Sequence, residues 1–270
     1  MLLYLAKNIY FTDPHKAAPL NAVLNDYAAF LPYVDQLKTE ISRIKPNRHP
    51  AFLAAGRTVR VFGLELDSGK YAVRLIYADD GWHHFYSRLC GYSLNAGRDG
   101  MEQIVAASLE DGVTISRLMP GRLISWLSAK DAACISPGQL AALLNNLIQA
   151  YQNGILIDTS PGNLFYDRDA GFGIIDYCSV NGLSYALGNL AAAVLAGFGF
   201  KHRIDDRRGS PAVLREIGIF YRHKISLIEF YKRFAAEKFA PEDYAAVEET
   251  ALNMLRKLRR LAARRYGIVL

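Results

Sequence analysis

Apolar positions recur at helical spacing from residue 19 to residue 45 (PLNAVLNDYAAFLPYVDQLKTEISRIK), and Pro32 predicts a break or kink within that stretch. The run KPNRHP then punctuates the chain. From about residue 52 the period changes to two. TVRVFGLEL alternates, DSG turns, and KYAVRLIY follows, which predicts a β-hairpin with the right turn chemistry. A helix is expected around 82–95 (WHHFYSRLCGYSLN). Two more strands, MEQIVAASL and GVTISRLM, are separated by EDG, and PG at 120–121 closes the region.

Beyond residue 121 the pattern turns helical. SPGQLAALLNNLIQAYQNG has a serine cap, an early proline, Leu or Ile at helical spacing, and Gly154 as a stop. A short β interlude at 155–177 (ILID, NLFYD, GFGIIDY) interrupts it, and helices are expected at 184–198, 211–235 and 241 onward. A sheet-rich first part followed by a helix-rich second part predicts an α+β chain of two lobes. The divisions expected are a helical extension at 1–48, a sheet-plus-one-helix lobe at 49–120 and a helical lobe at 121–270.

Composition narrows the class only a little. With 51% apolar and 21% charged residues, the chain is neither disordered, collagen-like nor a disulfide scaffold. Cys90, Cys134 and Cys178 are far apart, and no CxxC pair suggests a zinc knuckle, so a reducing compartment is expected. The opening MLLYLAKNIYFTDP lacks the features of a secretory signal, and the longest apolar run, 187–200, is short for a spanning helix and contains Asn189. A cytoplasmic location, with a membrane-peripheral one open, follows as the expectation.

The chemistry concentrates in GILIDTSPGNLFYDRDAGFGIIDYCS. Three polar residues interrupt its apolar β runs: Asp158, Asn163 five residues on, and Asp176 thirteen further. A carboxylate at the end of an apolar strand is costly to desolvate unless it meets a cation or donors. Two carboxylates and an amide around one hairpin are good oxygen ligands for Mg²⁺, or one carboxylate can orient an attacking hydroxyl. Singly, each also suits a plainer role: Asp158 and Asn163 in a turn, Asp176 capping a helix.

This segment resembles the catalytic and metal-binding loops of the protein-kinase-like superfamily, which includes the aminoglycoside and other small-molecule phosphotransferases. DTSPGN is similar to the catalytic-loop D-x-x-x-x-N, and IIDY to the strand end that carries the metal-binding aspartate. The resemblance implies a two-lobed kinase-like fold with an antiparallel-sheet amino-terminal lobe and a helical carboxyl-terminal lobe. It implies ATP and Mg²⁺ as cofactors, Asp158 as catalytic base, and Asn163 and Asp176 as metal ligands. Upstream, LAAGRTVRV resembles the phosphate loop, with Gly56 alone of its glycines. YAVR resembles the third-strand V-A-I-K, with Arg74 in the lysine position. SRLMPG resembles the linker that contacts adenine, which puts Arg117 and Met119 at the nucleotide.

The implied activity is transfer of the γ-phosphoryl group to a hydroxyl acceptor, a small molecule or a protein Ser/Thr. The segment after Asp176 lacks an A-P-E end, which favours a small-molecule acceptor or an atypical protein kinase. The departures are Arg74 for lysine, Leu156 for histidine, and no glutamate in the helix expected to pair the cation, with Asp99 and Glu102 only after it. They leave open a pseudokinase, a binding or scaffold module that retains the fold without turnover. Of the other polar features, His83 and His84 read as surface residues and Cys178 as a small buried one. The end, NMLRKLRRLAARRYGIVL, reads either as a solvated basic helix packed by its leucines or as a contact for an anionic surface. Nothing in it resembles a nucleic-acid module.

Overall fold

The computed structural model describes residues 3–5, 9–11, 14–56, 58–77, 81–127, 131, 134–152, 157, 162–176, 211–238 and 241–269. Asp158, Cys178 and the helix expected at 184–198 therefore lie outside the described residues, as does Gly154. The chain is α+β and divides into two compact units, Met1–Met119 and Pro120–Leu270.

The first unit opens with β1 (Leu3–Leu5) and β2 (Ile9–Phe11), a short antiparallel pair that the sequence pattern does not predict. Next come α1 (Pro14–Asn25), a 3-10 turn at Asp26–Ala29, and α2 (Leu31–Arg43). The expected break falls at that turn, and Pro32 sits in the first turn of α2, where a missing N–H costs nothing. β3 (Phe52–Ala55), β4 (Val59–Leu66), β5 (Gly69–Ile76), β6 (Ile104–Ser108) and β7 (Val113–Arg117) form one antiparallel sheet of order β3-β4-β5-β7-β6, with α3 (Gly81–Asn95) between β5 and β6. The β4–β5 hairpin pairs Leu66 with Gly69, so Asp67 and Ser68 alone make the turn, and Gly69 takes φ 136°.

Period-two alternation explains how the sheet is covered. Phe62, Tyr71, Val73, Leu75, Val113 and Ile115 form one core cluster with Tyr27 from the 3-10 turn and Val34 of α2. Residues 14–48 thus share the sheet's core and do not stand apart from it. A polar hub fastens them. Asp111, in the β6–β7 turn, accepts from Tyr27 Oη at 2.9 Å, Lys38 Nζ at 2.5 Å and Ser108 Oγ at 3.1 Å. The Lys38 ammonium, with the tyrosine and serine hydroxyls, holds the Asp111 carboxyl below the usual aspartate value. A carboxyl depressed in the folded state contributes stability above its unfolded value, near 3.8, and loses it as pH falls through the folded value. Urea unfolding should therefore show stability falling below about pH 4, and Asp111→Asn should flatten part of that fall while lowering the plateau.

The second unit begins with β8 (Arg122–Leu123), a 3-10 turn at Ile124–Trp126, and α4 (Pro137–Gln152). Ser136 Oγ accepts the Gln139 amide at 3.2 Å and Gln139 Oε1 accepts the Ser136 amide at 3.0 Å, a capping box that fixes the start of α4. Leu140, Leu143, Leu144 and Leu147 fall on its buried face. β9 (Leu164–Asp167) and β10 (Gly171–Ile174) join β8 in a sheet of order β10-β9-β8. α5 (Pro211–Lys238) and α6 (Pro241–Tyr266) pack against each other. α5 buries Leu227, Ile228, Tyr231, Phe234 and Ala235 at helical spacing. No described helix is long and apolar enough to cross a membrane.

Candidate functional site

The β9–β10 hairpin carries two of the three residues that the sequence singles out. Its register pairs Leu164 with Ile174, and the Ile175 amide donates to the Asn163 carbonyl at 2.9 Å. Asn163 and Asp176 therefore leave the same open end of the hairpin, on facing strands, both half-buried. The closed end is set by Asp167, whose Oδ1 accepts the Asp169 and Ala170 amides at 2.9 and 3.0 Å. Those two amides hold its carboxyl below the usual range. The turn chemistry of DRDAG thus fixes the register, which sets Asn163 opposite Ile175, so that Asn163 and Asp176 flank the same open end of the hairpin.

Asp176 has φ 77°, a left-handed backbone taken by no other non-glycine among the described residues. Such a conformation costs of order 1 kcal/mol for an L-residue, and Asp and Asn tolerate it best. Unusual backbone of this kind gathers at functional positions. An amide oxygen and a carboxylate oxygen are donors suited to a hard divalent cation, so the two residues fit Mg²⁺. Among the described residues no three His, Cys, Asp or Glu side chains gather around a common point, and the third oxygen donor of the expected set, Asp158, is outside them.

A hollow of about 280 Å³ opens beside the closed end of the hairpin, lined in part by Tyr166, Asp167 and Arg168. It lies one strand length, roughly 13 Å, from Asn163 and Asp176, and so belongs to a different place on the unit.

In the first unit the expected cation is present and its surroundings differ from expectation. Arg74 stands on β5, the third strand of the five-stranded sheet in chain order, and is 7% exposed. Its Nη1 lies 2.5 Å from Glu102 Oε1 and donates to Ser116 Oγ at 2.6 Å. Glu102 Oε2 accepts from Arg88 Nη1 of α3 at 2.8 Å, and the Glu102 side chain is fully buried. The polarity of the helix contact is inverted: α3 supplies a cation, and the carboxylate comes from the segment before β6. The carboxylate expected within the helix is supplied by Glu102, which follows it in the sequence. The signal available was a lone carboxylate between Met101 and the apolar run that begins at Ile104.

The remaining nucleotide residues are placed as follows. Gly56 is in the turn between β3 and β4. Its amide donates to the Val59 carbonyl at 3.0 Å, and its carbonyl accepts Arg60 Nη1 at 2.9 Å. The Arg60 guanidinium also lies over the Tyr77 ring, 4.2 Å from its centroid, so this turn is pinned by a cation and not opened by glycines. Arg117 ends β7, and its amide donates to the Gln103 carbonyl at 2.9 Å, while the Leu118 amide donates to Lys70 at 2.9 Å. Both amides are thus already committed to backbone carbonyls, and the half-buried Met119 follows them at the end of the first unit.

No protein-family model matches the chain, and no curated protein matches it. Among solved structures it is similar to an apo pseudokinase, at a TM-score of 0.46 and 12% identity, over 77% of this chain and 90% of that one. A likeness of that size defines neither an activity nor a family.

Proposed function

We propose that the chain is a protein-kinase-like phosphotransferase that moves the γ-phosphoryl group of ATP, as its Mg²⁺ complex, to a hydroxyl acceptor. The observation that carries the reading is the placement of Asn163 and Asp176 at one open hairpin end, with Asp176 held at φ 77°. Both donors are oxygens, as the hard cation requires, and they stand in the order in which the resembling motif presents its metal ligands. The bound cation supplies neutralisation of phosphate charge. The chain's own part is to hold the ligands in register through the β9–β10 pairing, and to present Asp158 to orient the acceptor hydroxyl and take its proton. Phosphoryl transfer asks for little else than positioning and charge.

A second reading, a pseudokinase that binds without turnover, is favoured by the state of Arg74. The residue assigned to the phosphates is 7% exposed and committed to Glu102 and Ser116 within its own unit. Two measurements separate the readings. Incubation with γ-labelled ATP, Mg²⁺ and a panel of hydroxyl acceptors should give label transfer or ATP turnover with the wild type and a loss of at least about 100-fold with Asp158→Ala. Stabilisation by Mg-ATP in a thermal shift, with no turnover in any arm, supports the scaffold reading. Neither stabilisation nor turnover overturns both.

A further inference from the structure

The chain's formal net charge is +6, and residues 254–266 hold six cations and no carboxylate, so the rest of the sequence is balanced. All of the excess lies on the second half of α6. Arg256, Lys257, Arg259, Arg260 and Arg264 are each exposed, while Leu255 and Ala262 are buried. At 100° per residue, Arg256, Arg260, Arg264 and Lys257 span about 100° of surface on the side away from Leu255 and Ala262, while Arg259 lies at the edge of the buried side, about 40° from Leu255. No carboxylate of the described residues lies within 4.0 Å of these five cations.

Two ordinary roles do not account for this face. Cations near a helix carboxyl end complement the macrodipole, but that effect is confined to the last turn, and Arg256, Lys257, Arg259 and Arg260 precede it. Cations also cap terminal carbonyls. Here the helix closes on Gly267 at φ 66°, whose amide donates to the Ala263 carbonyl at 3.0 Å, and the Ile268 amide donates to Ala262 at 3.1 Å. Those carbonyls are already satisfied by backbone.

Apolar side chains accompany the cations on the outside: Leu261 is 38% exposed and Val269, just past the cap, is 94% exposed. Cationic side chains around a few exposed aliphatic ones match an anionic bilayer surface, where charge attracts and apolar groups enter the headgroup boundary. A single-stranded nucleic acid is matched less well. It asks for aromatic platforms or amide side chains that read bases, and residues 254–266 contain only Tyr266 of those types. We infer that the cationic face of α6 docks the protein on an anionic lipid surface, electrostatically and with its helix still packed on α5, and not by spanning or by unfolding the helix.

The test is flotation of the full chain with vesicles of phosphatidylcholine alone and of phosphatidylcholine with about one-third phosphatidylglycerol. Binding is expected to the anionic vesicles at about 0.1 M ionic strength and should be abolished near 1 M, where the Debye length is about 3 Å. The quadruple variant Arg256→Gln/Lys257→Gln/Arg260→Gln/Arg264→Gln should bind roughly 100- to 1000-fold more weakly, from about half to three-quarters of a decade per cation removed. Val269→Asp should weaken binding with those cations in place. Equal binding to both vesicle types, no binding to anionic vesicles at low salt, or an unchanged quadruple variant overturns the inference. So does tight binding of a single-stranded oligonucleotide without vesicle binding. Should the quadruple variant not fold, the wild-type salt and lipid dependence still decides. None of these outcomes involves nucleotide, so they stand apart from the phosphotransferase reading.

Discussion

Glu102→Ala should be among the most damaging single substitutions in the first unit, at roughly 3–5 kcal/mol. Glu102 is 1% exposed and is shared by Arg74 at 2.5 Å and Arg88 at 2.8 Å. Its removal leaves two guanidiniums in the interior without the carboxylate between them, and like charges at that spacing repel where water cannot screen them. Glu102→Gln keeps the shape and one acceptor, so it should cost less than alanine but still clearly destabilise. The diagnostic variant replaces all three residues, Arg74→Met/Glu102→Met/Arg88→Met. Buried ion pairs exchanged together for apolar groups of similar volume are often neutral. If the triple variant folds as well as wild type, the triad is kept for something other than stability. Its nucleotide affinity then tells whether positioning Arg74 is that purpose. Urea denaturation of the four proteins measures the first point, and titration with Mg-ATP the second.

Gly121→Ala should be nearly as severe, in the second unit. Gly121 takes φ 82°, and a β-carbon built there would stand 2.2 Å from the Tyr166 carbonyl oxygen and 2.7 Å from the Asp167 nitrogen. Both atoms are backbone, so no rotamer change relieves the overlap, and β8 must draw away from β9. Overpacking and left-handed strain together cost roughly 2–5 kcal/mol, or about 5–15 °C in Tm. The effect should reach the candidate site as well. β8 pairs Arg122 with Tyr166 and Leu123 with Phe165, and Asn163 immediately precedes β9. A displaced β9 loosens the hairpin whose open end carries Asn163 and Asp176. Differential scanning calorimetry checks the stability. A weakened Mg²⁺ response in the surviving folded protein checks the coupling.

How much of this was legible in the sequence depends on how local each determinant is. The β4–β5 hairpin was readable because its alternation and its DSG turn are contiguous, and α4 because Ser136 and Gln139 are three residues apart. That Asn163 and Asp176 flank one hairpin end follows from a single hairpin closed by a turn of recognisable chemistry. Long-range determinants were not readable. Tyr27 and Lys38 meet Asp111 across 84 and 73 residues, so the merging of residues 14–48 into the sheet's core leaves no local trace. The Arg74–Glu102 pair joins β5 to the segment before β6, across 28 residues, and the expectation placed the carboxylate within the helix. β1, β2 and β8 span three, three and two residues, too short for alternation to show.

The central claim is that Asn163 and Asp176 jointly hold a divalent ion with nucleotide. It is tested most directly by Mn²⁺ binding, followed by paramagnetic resonance, with and without ATP, in the wild type, Asn163→Ala, Asp176→Asn and Asp176→Gly. Asn and Gly both tolerate φ near 77°, so both position-176 variants keep the backbone and remove the charge. The account predicts ATP-dependent Mn²⁺ binding by the wild type and a loss of roughly tenfold or more in each variant, with Asp176→Gly at least as stable as wild type. Mn²⁺ and ATP bound equally by all four proteins would contradict it.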